Sequence, residues 1–132
     1  MPKRSIAVAA LAILAAAVPA IAAAPSLSPQ ARLDRMLAGR VAGKPVDCIN
    51  LRDIRSSEII DRTAIVYRTG ANRLYVNIPR GGLNQLDRDD ILVTRTISSQ
   101  LCSIDTVGLL DRGSRFQTGF VSLGDFVPYA KP

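Results

Sequence analysis

The stretch that decides the fold is TAIVYRTGANRLYVNI, residues 63–78. Residues 63–69 are mostly apolar or β-branched, and residues 74–78 alternate along the chain, which indicates two strands. The four residues between them, Gly-Ala-Asn-Arg at 70–73, are rich in turn formers. The stretch therefore predicts a β-hairpin. Its second strand is expected to be half-buried, with Leu74, Val76 and Ile78 on one face and Tyr75 and Asn77 on the other.

Short β-branched runs separated by polar or glycine turns continue on both sides of this hairpin. Residues 98–100 predict a turn, and so a second hairpin of 91–97 with 101–110. Gly119 and Gly124 predict a bulged or bent closing strand, and residues 83–90 a polar connection with one helical turn. The strands predicted outside the first hairpin are 46–51, 91–97, 101–110 and 116–127.

A short helix is predicted before these strands. Ser28 is a good N-cap, and the proline that follows it suits the first helical turn. Leu33, Met36 and Leu37 then form a narrow apolar stripe, and Gly39 can end the helix. We interpret it as a helix that packs on the edge of the domain.

The chain also begins like a secretory signal peptide. Lys3 and Arg4 give a positive start, residues 6–18 carry no polar side chain, and small residues follow a proline. Cleavage is expected after Ala22 or Ala24, with an uncleaved membrane anchor as the alternative. The sequence thus predicts a periplasmic or secreted protein that is not an integral membrane protein after cleavage.

The 132 residues divide into three predicted parts. Residues 1–24 are the cleaved signal, 25–45 a polar leader with the short helix, and 46–132 a β-rich domain. With about six to seven strands, a single small antiparallel sandwich or partly closed barrel is the expected architecture.

Cys48 and Cys102 are the only cysteines. In an exported chain two thiols most often pair, and neither a Cys-x-x-Cys spacing nor a histidine is present to support thiol chemistry. We therefore predict a structural Cys48–Cys102 disulfide.

The composition closes several routes to catalysis. The chain has no histidine, which removes the usual general base and the commonest zinc ligand. Residues 87–90, Asp-Arg-Asp-Asp, begin like a calcium loop but lack its glycine and its distal glutamate. No catalytic residue, cofactor site or metal site is predicted, and an enzyme would have to rely on clustering of Asp53, Asp105 or Asp125.

The charge suggests what kind of partner the protein has. The net charge is +6, and almost all basic residues are arginine. With three Phe, three Tyr and no Trp, the chain lacks the stacking residues of a nucleic-acid platform. An envelope component or an acidic partner protein fits better. The arginines considered as a possible cluster, or as ordinary surface, are Arg52, Arg55, Arg62, Arg68 and Arg73.

Four motifs carry a resemblance to a known family. They are Cys-Ile-Asn-Leu-Arg-Asp-Ile-Arg-Ser at 48–56, Asp-Arg-Thr-Ala-Ile at 61–65, Leu-Cys-Ser-Ile-Asp-Thr at 101–106 and Leu-Gly-Asp-Phe-Val-Pro-Tyr at 123–129. The chain resembles a family of small exported proteobacterial proteins of unknown function, whose members often have further cysteines near Gly81 and Val121. The resemblance implies a periplasmic single domain and supplies no activity.

These observations predict a non-catalytic binding or structural module at the cell envelope, with an exposed face or sheet edge for a partner. The alternatives are a small-ligand carrier with arginines at the rim of an apolar or anion-binding pocket and, third, an Asp/Arg-based enzyme.

Overall fold

The mainly β fold predicted from the sequence is confirmed. The computed structural model describes residues 16–132, which form ten strands in three antiparallel sheets and one α-helix, with no closed barrel among them. There are more strands than predicted because the runs 101–110 and 116–127 are each divided between two sheets, and because residues 41–42 and 54–60 form strands that were not predicted. The strands are β1 (Val41–Ala42), β2 (Cys48–Asn50), β3 (Ile54–Ile60), β4 (Ala64–Thr69), β5 (Leu74–Asn77), β6 (Asp90–Thr94), β7 (Gln100–Cys102), β8 (Thr106–Asp111), β9 (Gln117–Ser122) and β10 (Phe126–Ala130).

The predicted hairpin of residues 63–78 is confirmed, and it forms the centre of a five-stranded sheet. This large sheet has the order β1-β10-β5-β4-β3. At the tip of the hairpin Ala71 and Asn72 both have positive φ, 57° and 58°. Two such residues make the turn type that matches the twist of paired strands.

Both faces of the large sheet are buried, because consecutive side chains of β4 enter two different cores. Ile65 and Tyr67 pack with the two smaller sheets, whereas Ala64 and Val66 pack on the side of the helix. The half-buried strand predicted for residues 74–78 is therefore wrong in one respect. Asn77 is fully buried, while Ile78, beyond the end of β5, is 58 % exposed.

The predicted helix forms as α1 (Pro29–Leu37) and covers one face of the large sheet. The Ser28 side chain accepts a hydrogen bond from the Ala31 N–H (3.2 Å), and Gly39 has a φ of 73° just beyond the helix. Leu33 is buried against the sheet, with Met36 and Leu37 partly buried beside it. Amphipathic burial of this stripe ties the N-terminal segment to the sheet.

The second predicted hairpin is confirmed in its pairing, because residues 91–94 pair with residues 107–110, but its predicted turn at residues 98–100 is wrong. β6 pairs with β8, and β8 pairs with β9, to form a three-stranded sheet. The chain between β6 and β8 carries β7, which pairs instead with β2 in a two-stranded sheet. Leu101 of β7 and Ile49 of β2 are opposed and buried in the same core, and this burial draws β7 away from β6.

The predicted disulfide joins these two short strands. The Sγ atoms of Cys48 and Cys102 lie 2.08 Å apart, and the two residues are directly opposite each other. The disulfide cross-links the two strands of this small sheet.

The predicted closing strand 116–127 forms two strands in different sheets, β9 and β10. The expected bulge is present, because the pairing of β8 with β9 shifts between Leu109 and Leu110, opposite Gly119. At Gly124 the chain passes from one sheet to the other, and a Cβ there would overlap the carbonyl oxygen of Ile78. The polar connection before β6 contains the expected helical turn, a 3₁₀ turn at Leu83–Gln85.

The β-rich part begins earlier than residue 46, since β1 pairs with β10 through Val41 and Ala42. Most of the predicted signal peptide lies outside the described residues. Residues 16–28 are exposed and contain no helix or strand. None of the helices described for residues 16–132 has the length and hydropathy needed to span a membrane.

Candidate functional site: a groove between two sheet edges

A large charged opening lies where the edge of the large sheet faces the edge of the three-stranded sheet. Residues 57–59 of β3 and 90–92 of β6 line an opening of about 640 Å³, which we call the edge groove. β3 is the last strand of the large sheet, and β6 is an outer strand of the three-stranded sheet. Two strands from different sheets therefore border one groove.

Both strands that line the edge groove lack a partner on one side. β3 pairs only with β4, and β6 pairs only with β8. Within residues 16–132 no backbone hydrogen bond connects β3 with β6. Each strand thus keeps a row of N–H and C=O groups without a ladder partner, which is the usual template for an added strand.

Charged side chains of both signs line the edge groove: three are basic and three acidic, namely Arg32, Arg88, Arg112, Glu58, Asp89 and Asp90. Arg32 of α1 forms an ion pair with Glu58 of β3 and so joins the helix to the strand. Arg88 and Arg112 also line the groove, and neither takes part in the two ion pairs found among the described residues. Their guanidinium groups are therefore available to an external carboxylate.

The edge groove continues beyond Arg32 and Arg88. These two residues also line a neighbouring opening of about 610 Å³, bordered by residues 26–29 and by Arg62. The two openings together form a continuous channel, and a channel suits an extended ligand.

Carboxylates of the acidic run 87–90 accept hydrogen bonds at one end of the groove. The Asp87 carboxylate accepts a hydrogen bond from the Asp89 N–H (2.9 Å). Asp90 is buried, and its carboxylate accepts a hydrogen bond from the Thr118 hydroxyl (3.0 Å), which comes from the bulge of β9. Across residues 16–132, no group of three or more Cys, Asp or Glu side chains is arranged to hold a metal ion. The contacts seen in this run fix the start of β6.

The three acids considered for an enzyme have separate surroundings. Asp105 accepts a hydrogen bond from the Cys102 N–H (2.7 Å). Asp125 forms an ion pair with Arg80 (3.1 Å), and Asp53 lines a hollow beside the disulfide. No hydrogen bond links any two of these carboxylates.

The five arginines considered as a possible cluster lie at separate places on the surface. Arg55 and Arg73 line the hollow of about 340 Å³ beside Cys48, whereas Arg62 lies at the channel. Arg52 and Arg68 are exposed outside these openings. The arginines of the edge groove, Arg32, Arg88 and Arg112, are different residues.

Sequence reasoning missed the strand that forms one side of the groove. The β3 segment, Ile-Arg-Ser-Ser-Glu-Ile-Ile, has neither alternation nor a continuous apolar run. Its available signal was Ile59 and Ile60 placed just before a short polar connection and the apolar β4. Such an arrangement is typical of a hairpin whose first strand lies at an edge.

The chain matches no protein-family model, no curated protein and no solved structure.

Proposed function

We propose that this protein is an exported, non-catalytic binding module of the cell envelope, which captures an extended segment of a partner protein in the edge groove. The observation that carries the proposal is that two edge strands, β3 and β6, each with one free edge, lie on the two sides of one charged groove. A segment that pairs with either strand satisfies main-chain groups that otherwise bond only to water.

The arginines of the groove favour a segment that carries an acidic side chain. Arg88 and Arg112 lie at the groove outside any ion pair of the described chain. A guanidinium group forms paired hydrogen bonds with a carboxylate. The expected ligand is therefore an extended peptide with at least one Asp or Glu, which agrees with the acidic partner predicted from the basic sequence.

Export rests on two features that support each other. The positive and apolar N-terminal sequence is typical of a signal peptide, and the Cys48–Cys102 disulfide is typical of an oxidising compartment. Intact mass spectrometry of the protein recovered from the periplasm tests this part. The expected mass begins at residue 23 or 25, with both thiols alkylated only after reduction. A full-length, reduced protein that stays in the cytoplasm would contradict export.

Binding is tested by panning a displayed library of twelve-residue peptides against the mature protein. Enriched peptides are synthesised, and their affinity is measured by fluorescence anisotropy. N-methylation of alternate amides in the peptide is expected to weaken binding by about tenfold or more, because each methyl group removes a ladder hydrogen bond.

Two arginine variants give the matched comparison. Arg112→Ala in the groove is expected to weaken an acidic peptide by about tenfold, because it loses a charge-assisted hydrogen bond. Arg52→Ala, an exposed arginine outside the groove, is expected to leave affinity unchanged. Failure to enrich any peptide, or enriched peptides that are indifferent to both N-methylation and Arg112→Ala, would refute the groove as the binding site.

A further inference from the structure

A second cavity lies on the outer face of the three-stranded sheet, away from the core that its inner face covers. Val93 of β6, Gly108 of β8 and Phe120 of β9 are aligned across the sheet, because Gly108 is the pairing partner of both neighbours. The glycine contributes no side chain between two large ones. A cavity of about 210 Å³ results, and we call it the Gly108 cleft; its other lining residues are Arg95, Thr106, Leu110 and Gln117.

The fold gives no reason for a glycine at position 108. A Cβ there would meet only Val93 Cβ and O at 3.7 Å and Phe120 Cε1 at 4.0 Å, which are ordinary contacts, and its φ is not positive. Gly82 and Gly124 differ, because a Cβ at either would overlap a backbone carbonyl oxygen. Glycine inside a strand costs about 0.5–1 kcal/mol relative to alanine. What the glycine provides is open space between Val93 and Phe120.

The lining of the cleft is apolar on its floor and walls and cationic at its rim. Leu110, Val93 and Phe120 supply the apolar surface, and Phe120 is 57 % exposed. Arg95 is exposed and takes part in neither ion pair of the described chain. The Thr106 hydroxyl and the Gln117 amide are further hydrogen-bond donors beside it.

We propose that the Gly108 cleft binds a small amphipathic anion, namely a compact aromatic or short aliphatic body with one carboxylate. The apolar body lies over Gly108 against Phe120, and the carboxylate contacts the Arg95 guanidinium. A cavity of about 150 Å³ already accommodates a benzene ring, so this cleft has room for one ring or an equivalent short chain. The site is independent of the edge groove, because the two openings share no lining residue. It places the small-ligand alternative of the sequence analysis at a defined position.

The test uses 4-phenylbutyrate as the probe and 4-phenylbutanol as its uncharged analogue, titrated by NMR into the ¹⁵N-labelled mature protein. Chemical-shift changes are expected at the amides of residues 93, 95, 108 and 120. Gly108→Val fills the cleft from its floor and is expected to weaken both probes by about tenfold or more. Valine also suits a strand better than glycine, so the variant is expected to fold, as circular dichroism will show.

Arg95→Gln separates the charge from the apolar surface. It is expected to weaken phenylbutyrate by about tenfold, the effect of losing one charge-assisted hydrogen bond, and to leave phenylbutanol unchanged. The controls are Ser56→Val, which adds a branched side chain to an exposed position of β3, and Arg52→Gln at an exposed site. Both controls are expected to bind like the wild type. Shifts that map elsewhere, no saturable binding, or equal affinity in folded Gly108→Val would each overturn the proposal.

Discussion

At the scale of single residues, the two most informative side chains are polar groups buried in the sheet. Tyr67 is 3 % exposed and its ring packs on Phe126, with centroids 5.8 Å apart. Its hydroxyl has no hydrogen-bond partner. Asn77 is fully buried, but its amide both donates to the Gly124 carbonyl (2.6 Å) and accepts from the Gly124 N–H (2.9 Å). The Tyr67 hydroxyl therefore costs stability, while the Asn77 amide satisfies both backbone groups of Gly124.

Tyr67→Phe is expected to stabilise the protein by about 0.5–1.5 kcal/mol, because it removes an unsatisfied buried hydroxyl and keeps the ring. Burial also raises the pKa of Tyr67. Because the folded protein keeps Tyr67 protonated, the wild type has its full stability below the pKa of tyrosine in the unfolded chain, about 10, and loses stability as the pH rises above it. Chemical denaturation at pH 7 and in the alkaline range measures both effects. The partly exposed Tyr75 provides the control Tyr75→Phe, and destabilisation by Tyr67→Phe would show that the hydroxyl is bonded.

Asn77→Asp is expected to destabilise the protein by about 2–4 kcal/mol at neutral pH. The substitution removes the donor to the Gly124 carbonyl and places a carboxylate in a buried site. Urea unfolding of the variant beside Asn84→Asp, at an exposed asparagine of the 3₁₀ turn, separates the burial effect from that of the added charge. Equal stability of the two variants would mean that the contact with Gly124 contributes little.

At the scale of elements, the turn of the central hairpin contains a residue whose backbone conformation lowers the stability of the protein. Ala71 has a φ of 57°, a conformation that an L side chain pays about 1–2 kcal/mol to adopt. Ala71→Gly is therefore expected to stabilise by about 0.5–1 kcal/mol, since part of the gain is offset by the greater unfolded-state entropy of glycine. Ala38→Gly, at an exposed residue with a φ of −57°, should instead destabilise. Thermal unfolding of the pair decides, and the same sign for both would contradict the turn geometry.

An element can be predicted from the sequence when residues close to it in the chain determine its structure. The hairpin of residues 63–78 and helix α1 follow from turn formers, a capping serine and an apolar stripe, so both were predicted. β3 was not predicted, because its polar sequence carries no strand pattern, and the pairing of β7 was not, because its partner β2 is distant in the chain. β7 joins β2 across the disulfide, and the polar β3 is recognisable only once β4 is in place. The edge groove needs β3 beside β6, so it could not be found from the sequence.

At the scale of the whole molecule, long-range links hold the sheets together. The Cys48–Cys102 bond spans 54 positions, and closing such a loop stabilises by roughly 4 kcal/mol in the chain-entropy model. A second link lies at the isolated bridge between Gly81 and Ser122, which connects the segment after β5 to β9.

This junction is predicted to accept an engineered disulfide. A Cβ at position 81 would lie 3.6 Å from Ser122 Cβ, within the range of about 3.5–4.5 Å found in disulfides. The double variant Gly81→Cys with Ser122→Cys is expected to oxidise fully and to gain about 4 kcal/mol, the value for a loop of about 40 residues. Thiol titration and denaturation, with each single variant as the control, test this. Free thiols under oxidising conditions would show that the two segments are farther apart.

The central claim is that an extended segment enters the molecule between β3 and β6, and hydrogen–deuterium exchange of the mature protein with an enriched acidic peptide tests it most directly. Edge amides exchange readily when they bond only to water, and an added strand protects them. On peptide addition we expect slower exchange at residues 57–59, at residues 90–92, or at both, and little change at the central strands β4 and β5. Protection confined to other surfaces, with both edge strands unchanged, would contradict it.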